Sequence, residues 1–259
     1  MLDSLQGKGC VVTGAARSIG LGIAEKYCKD GAKVAMIDIN PEVMEQAERL
    51  RAEGGFAKGY ILDVTDRDAV LECFVQIEKD IGPIFSLVNN AGIVDQRPFE
   101  EITTEMIDKQ MAVNVNGTLF CCQGAIKSMR ENKMGRIINF SSKSGKTGSA
   151  LMAHYSAAKG AIIALTHALA FELAGDNIQV NCMCPGITDD SGVWGVVSSK
   201  YTENLKLPRE EVIKRFTAKI PLKRLTYIED IVEMVHFLTL KGDYMTGQAY
   251  NITGGREMH

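Results

Sequence analysis

The sequence predicts one α/β domain, built as a doubly wound parallel sheet with helices on both faces. Two observations predict this fold. Short apolar runs alternate with longer segments of helical period along nearly all of the 259 residues, and this alternation is typical of βαβ units around a parallel sheet. No internal repeat, low-complexity tract or linker interrupts it, so residues 1–259 are expected to form a single domain.

The predicted strands are short, buried apolar runs. In order along the chain they cover residues 10–13, 34–37, 60–62, 84–88, 137–140, 178–183 and 249–252. Segments of helical period separate them, at residues 19–28, 67–80, 103–132, 157–173 and 228–240. One further helix is predicted after Asn40, because Asn is a favourable N-cap and Pro41 a favourable first helical residue.

The alternation breaks down between residues 185 and 222. Several glycine and serine residues accompany Trp194 there, the only tryptophan of the chain. Long irregular segments in compact domains often serve as lids or binding loops. A substrate-binding lid is therefore predicted within about 186–220.

Composition excludes several classes of protein. With 29 Lys and Arg against 32 Asp and Glu, the net charge is -3, so neither nucleic acid nor an anionic membrane is expected as a partner. The seven cysteines are scattered through apolar runs, which predicts free thiols rather than a disulfide framework, and no Cys/His cluster predicts a metal site. Neither a signal peptide nor an apolar run of roughly 20 residues is found, which indicates a cytoplasmic protein.

A turn rich in small residues lies at 13–20, between the first predicted strand and the first predicted helix. Such a turn lets the backbone approach a pyrophosphate, and the free amides of the helix start attract its charge. Because the turn follows a strand and opens a helix, a dinucleotide site is predicted. The residues expected to contact the cofactor here are Gly14, Arg17, Ser18, Ile19 and Gly20.

Asp38, followed by Ile39, ends the second predicted strand. Dinucleotide folds place an acid there, where its carboxylate accepts both adenosine ribose hydroxyls and repels a 2′-phosphate. Arg17 argues the other way, because a cation near the ribose could hold that phosphate. A desolvated carboxylate beside a phosphate is costly, whereas an exposed Arg can turn to solvent. NAD is therefore predicted over NADP; the alternative for Asp38 is a cap of the next helix.

Tyr155 and Lys159 lie four residues apart at the start of a predicted helix, hence on one face. An ammonium beside a phenol stabilises phenolate and lowers the phenol pKa, which makes tyrosine usable as a general acid or base. Ser142 ends the fifth predicted strand at the carboxyl edge of the sheet, where such folds bind ligands. Its hydroxyl could hold the substrate oxygen as charge changes during hydride transfer.

These motifs together resemble the short-chain dehydrogenase/reductase family over nearly the whole chain. Residues 13–20 are similar to the family's Thr-Gly-x-x-x-Gly-x-Gly turn, 89–92 to its Asn-Asn-Ala-Gly, and 155–159 to its Tyr-x-x-x-Lys. The resemblance implies a Rossmann-type fold. It also implies a catalytic tetrad, which falls on Asn114, Ser142, Tyr155 and Lys159.

The resemblance further implies roles around the cofactor. Lys159 would also bind the nicotinamide ribose, and Asn114 would support a water for proton transfer. The remaining implied contacts are Asp63 and Val64 at the adenine, Asn90, Ala91 and Gly92 after the fourth strand, and Pro185, Ile187 and Thr188 at the carboxamide. The chain departs from the family pattern in two places, with Ser18 where the second glycine is usual and Asp189-Asp190 where a threonine is more common.

Within the family, the carboxyl-terminal half is similar to polyol dehydrogenases, including those of sorbitol 6-phosphate. The similar stretches are 142–146, 194–208, 221–224 and 246–255. A polyol needs a pocket rich in hydrogen-bonding groups, because each buried hydroxyl left unpaired costs about 1–3 kcal/mol. The residues expected at a polyol, ketose or sugar phosphate are Ser142, Lys143, Lys146, Asp189 and Trp194; both lysines could instead be solvated.

Two other functions remain open at this point. A 3-oxoacyl-thioester reductase would use the same tetrad, although Asp38 speaks against its usual NADPH. A noncatalytic NAD-binding sensor would have no need of Tyr155 activated by Lys159. The helices at 103–132 and 157–173 are apolar beyond one stripe, and in the family they form subunit interfaces, so a homotetramer is expected; the alternative is burial within the chain.

Overall fold

The computed structural model describes residues 2–189 and 208–259. Its centre is a seven-stranded, all-parallel sheet in the order β3-β2-β1-β4-β5-β6-β7. The strands are β1 Gly9–Thr13, β2 Lys33–Asp38, β3 Phe56–Ile61, β4 Ile84–Asn89, β5 Gly135–Phe140, β6 Ile178–Pro185 and β7 Ala249–Ile252. The strand order reverses between β1 and β4, and ligands of open parallel sheets bind at such a switch point. The predicted fold class is confirmed.

The helices connect successive strands across both faces of the sheet. They are α1 Ser18–Lys29, α2 Glu42–Ala52, α3 Arg67–Ile81, α4 Thr104–Met111, α5 Gly117–Glu131, α6 Lys143–Thr147, α7 Ala153–Leu173, α8 Arg209–Ala218 and α9 Ile228–Lys241. Short 3-10 segments cover Phe99–Glu101 and Ala174–Asp176. A π-helical segment, Ala112–Asn116, joins α4 to α5.

Two apolar cores lie on opposite faces of the sheet. Alternation along β1 divides its side chains, so that Cys10 and Val12 pack with α1 and α9 while Val11 packs with α3 and α5. Because strand side chains alternate with period two, a strand covered on both faces is apolar throughout. This explains why the strands could be predicted as uninterrupted apolar runs.

Several predicted boundaries differ from the structure. The third strand is Phe56–Ile61 rather than 60–62, because Lys58 and Gly59 hide its apolar character. The helix predicted at 103–132 is divided by the π-helical segment. Helices α6 and α8 were not predicted, and α8 lies inside the segment interpreted as an irregular lid. Trp194 and the rest of 190–207 lie outside the described residues.

Helix α7, with the 3-10 turn that follows it, is long and apolar enough to cross a membrane by length and composition. The sequence-based prediction that no apolar segment approaches this length was therefore wrong for α7. The helix packs against α6 and β6, and Tyr155 and Lys159 in its first turns are buried inside the domain. It is a core helix of the fold.

Candidate active site

The four residues of the predicted tetrad meet in one cavity at the carboxyl edge of the sheet. Asn114, Ser142, Tyr155 and Lys159 all line it, and its volume is about 490 Å³. They come from three different places in the fold: the π-helical segment, the residues after β5, and the start of α7. Spacing in the sequence predicted that Tyr155 and Lys159 lie close together. The structure brings all four residues together.

Ser142 and Tyr155 line the same cavity. The Ser142 side chain lowers the pKa of Tyr155, and its Oγ accepts from the backbone N of Ser144 at 3.1 Å, which caps α6. Tyr155 is only 6% exposed. The cap holds the serine side chain at the start of α6, next to the cavity that Tyr155 lines.

Lys159 approaches Tyr155 from the next turn of α7. Its Nζ lies 5.8 Å from the centre of the Tyr155 ring and donates to the carbonyl oxygen of Phe140 at 2.8 Å. Burial lowers the pKa of Lys159 to about 8. Burial also raises the pKa of Tyr155 to about 12, against the opposing effect of Ser142. The lowered tyrosine pKa expected from the nearby ammonium is therefore not found, and Tyr155 carries its proton at neutral pH.

Asn114 lies in the π-helical segment, and such segments often mark functional sites. Its Nδ2 donates to the carbonyl oxygens of Ile93 at 3.0 Å and of Gln110 at 3.1 Å, while its Oδ1 accepts from Ile93 N at 3.2 Å. A Cβ added at Gly92 would lie 2.6 Å from that Oδ1 and 3.4 Å from Lys159 Nζ. The Asn114 side chain therefore holds the segment after β4 next to Lys159. The sequence did not suggest this role.

Gly145 is a site residue that the motif analysis missed. A Cβ there would lie 2.6 Å from both the Lys159 carbonyl carbon and Ser141 Oγ. The Ser141 hydroxyl donates to the Lys159 carbonyl oxygen at 2.6 Å. Because Gly145 has no side chain, helix α6 can contact the backbone of α7. This contact places Ser142 close to Tyr155. No local signal could have revealed this contact, because it depends on how the two helices cross.

The glycine-rich turn is tied to the end of β4. Thr13 Oγ1 accepts from the backbone N atoms of Asn90 at 3.1 Å and Ala91 at 3.0 Å. The Asn90 side chain donates to the carbonyl oxygens of Thr13 and Gly14 at 3.1 and 3.0 Å. A Cβ on Gly14 would come within 2.9 Å of Ala91 Cα, and one on Gly20 would collide with the Gly14 carbonyl oxygen. The turn accepts only glycine at these two positions.

Ser18, the departure from the family pattern, has a φ of 54°. This is the left-handed region that glycine favours, and it costs an L-residue about 1–2 kcal/mol. The backbone of the turn therefore keeps the shape that glycine would give. Ile19, the next residue, lines the same cavity as Tyr155.

At the adenosine end, Asp38 links the turn to β2. Its Oδ2 accepts from Ala16 N and its Oδ1 from Asn40 N, both at 2.9 Å. Asp38 does not cap α2, which begins at Glu42, because Asn40 N precedes the helix; each carboxylate oxygen also keeps a lone pair for a ligand. Ile39 beside it is 65% exposed, and Arg17 is exposed.

The other two residues predicted at the adenine differ in exposure. Asp63 is exposed, and its Oδ1 accepts from the backbone N and the hydroxyl of Thr65 at 2.9 and 2.8 Å. Val64 is buried, and it lies against Gly117, where an added Cβ would come within 2.7 Å of Val64 Cγ2. Of the pair, only Asp63 presents its side chain at the surface.

The segment after β6 closes the other side of the cavity. Pro185, Ile187 and Thr188 line it. Thr188 forms a bridge with Thr226, and the backbone N of Asp189 donates to the Thr226 carbonyl oxygen at 2.8 Å. This segment is therefore anchored to the chain that precedes α9.

Comparison with known proteins identifies the family. Residues 8–201 match the family described as short chain dehydrogenase. The chain belongs to this family. It is therefore an oxidoreductase that acts on CH-OH groups, and the family implies NAD or NADP as the hydride carrier.

Similar proteins match this dehydrogenase along almost its entire length. Sorbitol dehydrogenase of Cereibacter sphaeroides is 39% identical over 98% of this chain and 99% of its own. Galactitol 2-dehydrogenase of Agrobacterium fabrum is 34% identical over 98% of this chain and 99% of its own. The crystal structure of sorbitol-6-phosphate 2-dehydrogenase from Erwinia amylovora superposes with a TM-score of 0.93 at 31% identity, covering 96% of this chain and all of that one.

The residues predicted at the substrate are only partly brought together in this dehydrogenase. Ser142 and Lys143 line the cavity. Lys146 does not, because its Nζ donates to the Ala249 carbonyl oxygen at 2.6 Å and faces a second cavity near the carboxyl terminus. Asp189 is not among the described residues that line the catalytic cavity, and Trp194 lies outside the described residues.

Five cavity-lining residues from the carboxyl-terminal region escaped the sequence analysis. They are Val212, Arg215, Phe216 and Lys219 of α8 and its following turn, and Arg256 after β7. The three cations among them resemble those of any solvated helix face or terminus. Only the packing of the two segments on each other places them at the catalytic cavity.

Proposed function

We propose that this dehydrogenase interconverts a secondary alcohol of a polyol and the corresponding ketone, with NAD as the hydride carrier. The observation that supports this most is that Asn114, Ser142, Tyr155 and Lys159 line one cavity, which Ile19 of the glycine-rich turn also lines. The similarity to sorbitol and galactitol dehydrogenases over the full length supports a polyol or ketose as the substrate.

The chemistry assigns a separate task to each member of the tetrad. A bound nicotinamide supplies the hydride in reduction and accepts it in oxidation. Tyr155, protonated at neutral pH, donates its proton to the oxygen of the ketone during reduction. Ser142 holds that oxygen as it gains charge, and the Lys159 ammonium stabilises the phenolate that remains. Asn114 fixes the segment after β4 on which this arrangement rests.

A panel of substrates tests this proposal. Oxidation of NADH is followed with fructose, the ketose related to sorbitol, and with a 3-oxoacyl thioester; reduction of NAD is followed with sorbitol and galactitol. We expect turnover with ketoses and polyols only. Turnover of the thioester alone would support the acyl reductase instead, and binding of NADH without turnover of any carbonyl compound would support the sensor.

The residues around the turn fit NAD. Gly14 and Gly20 leave space where a Cβ would clash, so the backbone can approach a pyrophosphate. Asp38 stands at the end of β2 with an unshared lone pair on each oxygen after its two backbone hydrogen bonds. A 2′-phosphate beside this carboxylate would be repelled.

Removing the charge of Asp38 is therefore expected to relax the preference for NAD. In Asp38→Asn, the ratio of kcat/KM with NADPH to kcat/KM with NADH should rise about tenfold or more, as expected for loss of one close like-charge contact. Glu42→Gln is the matched control, because Glu42 is an exposed carboxylate just beyond the same turn. A wild-type enzyme that prefers NADPH would contradict the role given to Asp38.

We also propose that the enzyme is a cytoplasmic homotetramer. Phe171 on α7 is 89% exposed, and Ile163 and Leu165 on the same helix are only partly buried. Exposed apolar surface of this kind favours association, and all seven cysteines are free thiols, which suits a reducing compartment. Light scattering should give the mass of four 28.3 kDa chains; the mass of a monomer would contradict the tetramer.

A further inference from the structure

Four cationic side chains surround the catalytic cavity in addition to Lys159. They are Lys143, Arg215, Lys219 and Arg256. Among the described residues that line this cavity, none carries a carboxylate. A concave site lined by one sign of charge concentrates ligands of the opposite sign.

Packing between distant parts of the chain creates this cluster. Lys143 follows Ser142 directly, as the first residue of the helix that Ser142 caps. The turn after β7 rests on the chain that follows α8, since a Cβ on Gly254 would lie 2.7 Å from Ile220 Cγ2 and one on Gly255 3.0 Å from Pro221 Cγ. The Arg256 guanidinium lies 5.8 Å from the ring centre of Phe216 in α8.

Carboxylates near the cluster offset only part of its charge. Arg215 Nε lies 3.7 Å from Glu211 Oε1, with both side chains exposed, and Arg256 Nε lies 3.4 Å from Glu257 Oε1. Lys143 donates to the Gly148 carbonyl oxygen at 3.2 Å. Burial and the charge of Arg256 lower the pKa of Lys143, against Glu257, which raises it. Glu211 and Glu257 thus each pair with one of the four cations.

We propose that Lys143, Lys219 and Arg256, with Arg215 at the edge, bind an anionic group of the substrate. The substrate is then a ketose or polyol that carries a phosphate ester or a carboxylate, rather than a neutral sugar. This inference rests on the proposed function, because it describes the other end of the molecule whose carbonyl meets Tyr155. Arg and Lys both suit this task, since charge-assisted hydrogen bonds to oxyanions are the stronger ones.

Lys146 does not belong to this cluster, although the sequence predicted both Lys143 and Lys146 at the substrate. Lys146 lies one turn after Lys143 on the same short helix, yet its Nζ donates to Ala249 O and faces away from the catalytic cavity. The two lysines therefore form a matched pair. One should affect an anionic substrate, and the other should not.

Steady-state kinetics with NADH tests the proposal on three substrates: fructose, fructose 6-phosphate and 5-oxogluconate. We expect the wild-type kcat/KM for one of the charged ketoses to exceed that for fructose by about tenfold or more. A tenfold preference for fructose 6-phosphate would indicate a phosphate ester as the anionic group, and one for 5-oxogluconate would indicate a carboxylate. Equal use of neutral and charged ketoses would overturn the proposal.

Variants then locate the subsite. Lys143→Gln, Lys219→Gln and Arg256→Gln should each lower kcat/KM for the charged ketose about tenfold more than kcat/KM for fructose, through KM, without raising the KM for NADH. Lys146→Gln should change none of these values. Equal losses with neutral and charged ketoses, a raised KM for NADH, or an effect of Lys146→Gln would each overturn the assignment.

Inhibition by inorganic phosphate provides a measurement that does not depend on the natural substrate. Phosphate should compete with fructose, or with any carbonyl compound whose reduction requires Tyr155, and Arg256→Gln should weaken this competition about tenfold. If no ketose is reduced but phosphate competes with another carbonyl compound, the proposed polyol substrate is overturned and the anion subsite is supported. If fructose is reduced but phosphate does not compete with it, the anion subsite is overturned and the proposed function is supported.

Discussion

Replacing Tyr155 by phenylalanine is expected to lower kcat/KM for carbonyl reduction by about 10³-fold, because a positioned proton donor contributes about 10²–10⁴-fold. The substitution removes the hydroxyl that meets Ser142 and leaves the buried ring in place. NADH binding should therefore persist while turnover is lost. The measurement is kcat/KM together with the dissociation constant of NADH from fluorescence titration.

Tyr27→Phe is the matched control for this experiment. Tyr27 is also fully buried, and its hydroxyl bonds Thr239 Oγ1 at 2.6 Å in the core under α9. Its loss should lower the free energy of unfolding by about 1 kcal/mol and leave kcat/KM unchanged. If Tyr155→Phe kept kcat/KM within tenfold of the wild type, the proton would have to come from another group and the proposed mechanism would fail.

Replacing Gly145 by alanine should be nearly as damaging, although Gly145 bears no reactive group. The added methyl would lie 2.6 Å from the Lys159 carbonyl carbon, which is backbone and cannot swing aside. Helix α6 must then move away from α7 and carry Ser142 with it. A displacement of about 1 Å in an active site can cost about 10²-fold, and overpacking costs about 1–3 kcal/mol of stability.

The measurements for Gly145→Ala are kcat/KM and urea unfolding. Gly175→Ala is the control, because Gly175 has no heavy atom within 4 Å of the added carbon and no positive φ. It should retain the activity and stability of the wild type. Unchanged kcat/KM in Gly145→Ala would show that the α6–α7 contact does not position Ser142.

The strands and the main motifs could be predicted because their signals are local. A parallel strand buried on both faces is apolar throughout, so β1, β2, β4 and β5 were found within one or two residues. The Gly14–Gly20 turn was found because its function requires glycine at a strand-to-helix junction. The third strand was largely missed, because Lys58 and Gly59 interrupt its apolar run.

Other features could not be predicted, because they depend on contacts between distant segments. The π-helical segment at Asn114 directly joins α4 to α5, so the three were predicted as one helix over 103–132. Helix α8 carries its large apolar residues, Val212, Ile213 and Phe216, in a short and mainly charged segment that was interpreted as part of the irregular lid. The expected acidity of Tyr155 considered the nearby ammonium alone, whereas burial in the folded domain is the largest influence on the Tyr155 pKa and raises it.

By itself the sequence determined the doubly wound sheet, the dinucleotide turn and the identity of Asn114, Ser142, Tyr155 and Lys159 as the tetrad candidates. The sheet and the turn follow from local periodicity and from residue types at short spacing, whereas the tetrad as a set, Asn114 included, is what the resemblance to the short-chain dehydrogenase/reductase family implies. Only the tertiary structure decided that Lys143 faces the cavity while Lys146 does not, and that Arg256 joins α8 there. The direction of a side chain at a helix crossing depends on packing across the whole domain, and no short stretch of sequence contains it.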